Sequence, residues 1–131
     1  MSKVVDFLNE AKVYYLATVE DNQPRVRPFG ATAEFNGKVY FCTNNEKNVF
    51  KQLLNNPKIE ISGMVPDGRW IRITAEAVVD DNDEARKAML AANPNLASIY
   101  TVNDGKFEVF YIDDVKAIEY SFTGEPVVLE G

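Results

Sequence analysis

The apolar positions along the chain change period several times, and each change predicts an element. Val4, Val5, Phe7 and Leu8 recur at helical spacing and predict a short amphipathic helix ending near Ala11. Val13 to Val19 is apolar almost throughout, the pattern of a strand covered on both faces. Glu20 to Pro24 reads as a turn. Arg25 to Phe35 is expected to be one strand, with Arg25, Arg27 and Phe29 on one side and Val26, Pro28 and Gly30 on the other. Pro28 cannot donate to a ladder, so it marks an edge, a bulge or a break. Gly30 allows close approach to the backbone. Asn36-Gly37 is the dipeptide of a type I′ hairpin. It pairs the second strand with Val39 to Thr43 and brings Arg27 and Pro28 to the end where Thr43 lies.

Lys38 to Pro57 then shifts from period 2 to period 3.6. Val49, Phe50, Leu53 and Leu54 share one helix side, and Lys47, Lys51 and Asn55 another. Thr43 and Glu46 have capping-box spacing, with Asn44 and Asn45 as competing caps. Asn55-Asn56-Pro57 ends this helix. Ile59 to Met64 and Trp70 to Val79 are strands around a Pro66-Asp67-Gly68 turn. In the second, Ile71, Ile73, Ala75, Ala77 and Val79 form the apolar face, opposite Trp70, Arg72, Thr74 and Glu76. Asp80 to Glu84 opens a helix with Ala85, Ala88, Met89 and Ala92 inward. That run lacks the spaced glycine and distal glutamate of a calcium loop. Asn93-Pro94 breaks the helix, and Leu96 to Tyr100 adds a turn. Lys106 to Phe122 is a strand kinked at Asp113-Asp114, followed by an extended arm from Thr123 to Gly131. The sum is one domain over residues 1–131, mainly β, with about six strands. Short turns predict a closed, mostly antiparallel barrel with helices over its ends.

Composition narrows the chemistry. The 131 residues carry a net charge of −6, which disfavours nucleic-acid and anionic-membrane surfaces but leaves room for a local basic pocket. There is no histidine, and Cys42 is the only cysteine, so intrachain disulfides, Cys–His pairs and common zinc sites are excluded. No apolar run approaches a membrane span, and the N-terminal stretch lacks the core of a secretion signal, so a cytoplasmic protein is expected. Phosphate-loop and dinucleotide fingerprints are absent, as is any paired acid and base. Any reaction would then be carried by a cofactor.

One place invites an anion. A helix start offers free N–H groups and partial positive charge, and Lys47 sits in that first turn. The edge bearing Arg25, Arg27, Pro28, Phe29 and Gly30 suits a ligand lying along its main chain. A plain capped helix and a solvated, charge-protected edge are the alternatives.

The stretches LATVEDNQPRVRP, VYFCTNNEKNVFKQLLNNPKIEI and GRWIRITAEAVVDD together resemble the pyridoxamine 5′-phosphate oxidase-like, FMN-binding split-barrel family, in its short nitroimidazole-resistance-type branch. The resemblance covers roughly residues 3 to 122. It implies a six-stranded antiparallel split barrel of the FMN-binding type, and a homodimer with FMN at each subunit interface. By that resemblance Arg27 holds the flavin phosphate, Pro28 to Thr32 run along the ring, and Cys42 and Thr43 contact flavin. Lys47 and Asn48 form the phosphate-binding helix start. Arg69 and Trp70 open the strand that a partner subunit contributes. Oxidase members carry serine, arginine and lysine where this chain has Lys47, Asn48 and Val49, and the pyridoxal-phosphate-binding C-terminal segment is missing. True pyridoxamine phosphate oxidase activity is therefore not expected. The expectation is an FMN-dependent oxidoreductase acting on a small molecule, with a nicotinamide donor. A non-catalytic flavin-binding or stress-related module and a deazaflavin reductase are the alternatives; histidine-ligated haem is excluded by composition.

Overall fold

The computed structural model describes residues 2–131, and the element order is set by the polar breaks between apolar runs. Among the described residues the elements are α1 (Lys3–Ala11), β1 (Tyr14–Glu20), β2 (Gln23–Phe29), β3 (Thr32–Phe35), β4 (Lys38–Asn44), α2 (Asn48–Asn55), β5 (Lys58–Met64), β6 (Trp70–Val79), α3 (Asp83–Ala92), a 3-10 turn (Pro94–Ser98), β7 (Phe107–Tyr120) and β8 (Val127–Glu130). Ser2 caps α1 by accepting from the Val5 N–H, and Asn82 caps α3 by accepting from Glu84 and Ala85. Asn36 and Gly37 both adopt left-handed φ, 52° and 71°, as a type I′ turn requires, and they join β3 to β4.

All strands pair antiparallel in the order β2-β1-β5-β6-β7-β4-β3, with β8 added to β7. The sheet curls on itself. Tyr14 of β1 packs edge-on against Phe41 of β4 at 5.9 Å between ring centroids, although β5, β6 and β7 lie between them in the order. Phe29 of β2 meets Phe110 of β7 at 6.3 Å in the same way. The interior holds Leu16, Ile61, Ile71, Ile73 and Phe110, and both ends are plugged by Val4, Phe7 and Leu8 of α1 and Val49 and Leu53 of α2. Each such buried side chain contributes about 1.5–3 kcal/mol. A second, smaller core under α3 joins Ala33, Tyr40, Met89, Phe107 and Val109 on the outer face of β4 and β7.

Several expectations need correction. The sheet has eight strands, not six. The single strand expected over Arg25 to Phe35 breaks at Gly30 and Ala31 into β2, which pairs with β1, and β3, which pairs with β4. The C-terminal arm forms β8. β1 is covered on one face only, and Tyr15 is 52% exposed, because nothing among the described residues packs outside it. On α3 the buried positions are Ala85, Arg86 and Met89, while Ala92 is exposed. The kink at Asp113-Asp114 is present: Asp114 has φ 51°, and the ladder slips opposite it between Thr74 and Glu76. No helix among the described residues is long and apolar enough to cross a membrane.

Candidate functional site

The break at Gly30 and Ala31 opens a cavity of about 330 Å³ between the end of β2, the end of β4 and the start of α2. Arg27, Pro28, Phe29, Gly30 and Ala31 form one wall, and Cys42, Thr43, Lys47 and Val49 another. Asn95, Leu96, Ile99 and Tyr100, from the segment after α3, close the far side. A larger cavity of about 390 Å³ lies by the kink of β7, but its lining sets Lys3 and Lys38 against Glu34, Asp113, Asp114 and Glu130. The Arg27 cavity has cations and no carboxylate in its lining, so it is the one suited to an anion.

Arg27 reaches the cavity from β2 by crossing over its neighbour. Its Nη1 donates to the Leu16 carbonyl at 3.2 Å and to Thr18 Oγ1 at 2.8 Å, and its Nη2 donates to Gln52 Oε1 at 2.7 Å. All three acceptors are neutral. No carboxylate among the described residues forms an ion pair with it. Burial, and secondarily the charge of Arg25, pull the guanidinium below its ordinary value. A guanidinium stays charged in a protein, so an anion in the cavity would relieve that penalty.

The start of α2 is open. Lys47 occupies the N-cap and no side chain caps the helix, in contrast to α1 and α3. The expected capping box does not form. Thr43 is held in β4 opposite Glu108, and the Asn44 side chain takes the Glu46 N–H at 3.1 Å, so the helix begins only at Asn48. Glu46 lies 3.6 Å from Lys106, and its carboxylate forms an ion pair there instead of folding back as a cap.

Thr43 lines the cavity, is 4% exposed, and its Oγ1 has no hydrogen-bond partner within the described residues. An unpaired buried hydroxyl costs about 1–3 kcal/mol, which a ligand oxygen or nitrogen could recover. Burial pushes the Cys42 thiol up to about 12, against the opposing charge of Lys47. It is therefore a neutral wall residue and no thiolate nucleophile.

The sequence-derived candidates thus divide. Arg27, Pro28, Phe29, Gly30, Cys42, Thr43 and Lys47 come together. They do so for a reason other than the one expected: β2 is not paired with β4, and curling of the sheet, with α2 laid over β1, supplies the proximity. Asn48 opens α2 but lies outside the cavity lining. Arg25 forms an exposed pair with Glu20 at 2.9 Å, away from the cavity. Arg69 pairs with Asp67, Glu119 and Glu10. Trp70 stacks on Tyr120 at 5.6 Å and touches Phe122, in a separate apolar hollow with Tyr15 and Met64. Within one chain Arg69 and Trp70 do not reach the Arg27 cavity. Sequence reasoning missed Thr18 and Gln52, although each is a polar residue on an otherwise apolar face. It also missed the far wall; the 68% exposed Ile99 in a short turn has no periodic signal to reveal it.

The same architecture recurs in solved structures. The crystal structure of a NimC/NimA family protein from Clostridium acetobutylicum superposes with a TM-score of 0.95 at 47% identity, over 97% of this chain and 89% of that one. A pyridoxamine 5′-phosphate oxidase-related, FMN-binding protein from Nostoc punctiforme superposes at 0.66 and 17% identity, over 88% and 78%. A heme-binding protein from Mycobacterium smegmatis superposes at 0.72 and 17% identity, over 92% and 56%. The last two likenesses concern the fold alone. No curated protein matches the sequence. The pyridoxamine 5′-phosphate oxidase family profile matches residues 1–121, and the chain belongs to that family.

Proposed function

We propose that the protein binds FMN in the Arg27 cavity and serves as a flavin-dependent oxidoreductase for a small molecule, with a nicotinamide nucleotide as donor. The observation that carries this reading is a guanidinium met only by neutral acceptors, sharing one cavity with an uncapped helix start and an orphaned hydroxyl. Those features fit a phosphorylated ligand with polar ring edges. FMN, when bound, supplies reversible hydride acceptance. Arg27, Lys47 and the first N–H groups of α2, including that of Asn48, hold the phosphate. The interrupted backbone from Pro28 to Ala31 lies along the ring. Thr43 gains its missing partner, and Leu96 and Ile99 exclude water.

A second copy of the chain completes the arrangement in this reading. The apolar hollow of Tyr15, Met64, Trp70 and Phe122 supports a homodimer, which would bring Arg69 and Trp70 of one subunit toward the cavity of the other. A sedimenting monomer that binds FMN tightly would contradict this part.

The enzyme reading predicts that NADH or NADPH bleaches the flavin absorbance of the FMN-loaded protein without oxygen. A flavin that no donor reduces would leave a binding protein without turnover. The cavity lining gives that second reading its support, because it contains no carboxylate and Cys42 stays protonated. Mass spectrometry of the ligand released from purified protein tests FMN against deazaflavin and haem.

A further inference from the structure

The end of the Arg27 guanidinium is held by two neutral oxygens arranged like a carboxylate. Nη1 donates to Thr18 Oγ1 at 2.8 Å and Nη2 to Gln52 Oε1 at 2.7 Å. The Thr18 hydroxyl in turn donates to the same Gln52 oxygen at 2.5 Å, so the two acceptors sit close together and take the two parallel N–H groups. Both residues are buried, one on β1 and one on α2. The remaining Nη1 hydrogen goes to the Leu16 carbonyl at 3.2 Å. An arginine has five N–H groups, so the Nε–H and the second Nη2–H remain. These lie on one edge of the guanidinium, the fork that grips phosphate or carboxylate with two parallel bonds.

The identity of residue 52 matters more than its hydrogen bond. Glutamate would hold the same guanidinium at least as firmly, but it would cancel the charge. Glutamine keeps the bond and leaves the charge. We propose that Gln52, backed by Thr18, is the residue that sets the ligand class of this cavity: it positions Arg27 with a neutral oxygen and so reserves a full positive charge and a free two-donor edge for a phosphate-bearing ligand. The consequence is selectivity for the phosphorylated over the unphosphorylated form of one ring system. This rests on the reading that the cavity takes a flavin. Gln52 acts through Arg27 and is a positioning residue.

The test compares FMN with riboflavin, which share a ring and differ at the phosphate, on wild-type protein, Gln52→Glu and Thr18→Val. Gln52→Glu preserves the side-chain shape and adds an ion pair, so the thermal midpoint should not fall. Its FMN affinity should drop by about tenfold or more while riboflavin affinity stays within about twofold, the pattern of a lost charge-assisted contact. A purely structural role would move both ligands together. Thr18→Val removes one oxygen without adding charge and should reduce the FMN preference by less. An FMN-to-riboflavin ratio in Gln52→Glu equal to that of wild type overturns the inference while leaving the flavin site intact. If Gln52→Glu does not fold, an unchanged ratio in Thr18→Val overturns it. A wild-type protein that binds both forms equally overturns the phosphate site itself, and this inference with it.

Discussion

Two arginines in this protein are drawn inward, and they are treated in opposite ways. Arg86 on α3 has an 8% exposed side chain and is surrounded by charge: Asp81 at 2.8 Å, Asp83 at 2.8 Å and Glu108 at 3.0 Å, with its Nε–H donated to the Phe107 carbonyl at 2.8 Å. Arg27 has a carbonyl, a hydroxyl and an amide oxygen. Burial lowers both guanidinium values, but hydrogen bonds to Asp81, Glu108 and Asp83 outweigh it at Arg86, whose value rises, while nothing reverses it at Arg27. Arg86 is finished by its own chain. It ties the start of α3 to β7 and holds the carbonyl of Phe107, whose ring stacks at 4.9 Å on Tyr100 in the far wall of the cavity. Arg27 is held in place and left electrically incomplete. A protein that spends three carboxylates on one arginine and none on the other marks the second as the one meant for something outside the chain.

The largest effect expected from this contrast is on stability, at Arg86. Arg86→Met would leave the half-buried Glu108 with the Asn45 amide but no cation, and the Phe107 carbonyl without its side-chain donor, at a cost of about 3 kcal/mol in urea denaturation. A loss under about 1 kcal/mol would show that the network is ornamental and break the comparison. Next comes Arg27→Ala. It should weaken FMN binding by about 1–3 kcal/mol and leave riboflavin binding nearly unchanged. An equal loss for the two ligands would mean that Arg27 is another structural arginine, whatever the charge of its neighbours.

Much of the fold was legible in local pattern, and the contrast between the two arginines was not. Asn36-Gly37 announced its turn because both residues tolerate positive φ, and Asp113-Asp114 announced a kink that the ladder slip accommodates. Arg27, Thr43 and Lys47 do line one cavity, but the pairing of β2 with β4 by which the sequence groups them does not exist. β2 follows the turn back onto β1, and only the curl of the sheet and the placement of α2 restore the proximity. Local spacing could not reveal that, because the contact from Arg27 to Gln52 spans 25 residues. The Thr43–Glu46 capping box failed for the converse reason: the spacing was right, but the Asn44 side chain took the nearby N–H first. Arg86 was invisible for a third reason. Two of its acidic partners, Asp81 and Asp83, read as helix-start residues and the third, Glu108, lies in a distant strand, so nothing in their order says that a guanidinium lies among them.

Smaller in size is the alkaline behaviour of Cys42, which shares the cavity with both free cations. Its native value is raised from 9.0 to about 12 by burial, so the folded state keeps a proton that the unfolded chain releases. The stabilisation is complete below pH 9 and is lost as pH climbs through about 12, with a slope no steeper than about 1.4 kcal/mol per pH unit. Cys42→Ala should flatten the fall in stability between pH 9 and pH 11, measured by denaturant titration at each pH. A slope identical to wild type would mean the thiol ionises in place, where its charge would counter the cavity's cations.

The smallest effect belongs to Lys47, and it sharpens the comparison most finely. Its side chain is exposed, so solvent screens it in a way that the inward Arg27 escapes. Lys47→Ala should weaken FMN by about 0.5–1 kcal/mol at low salt, less than Arg27→Ala. The difference between wild type and Lys47→Ala should shrink as salt is added, because an exposed cation acts through a screened field. The Arg27→Ala deficit should shrink less in high salt, because a half-buried fork acts through short, directed bonds. If the two deficits fade together, Arg27 is no better shielded than a surface lysine, and its neutral surroundings reserve nothing.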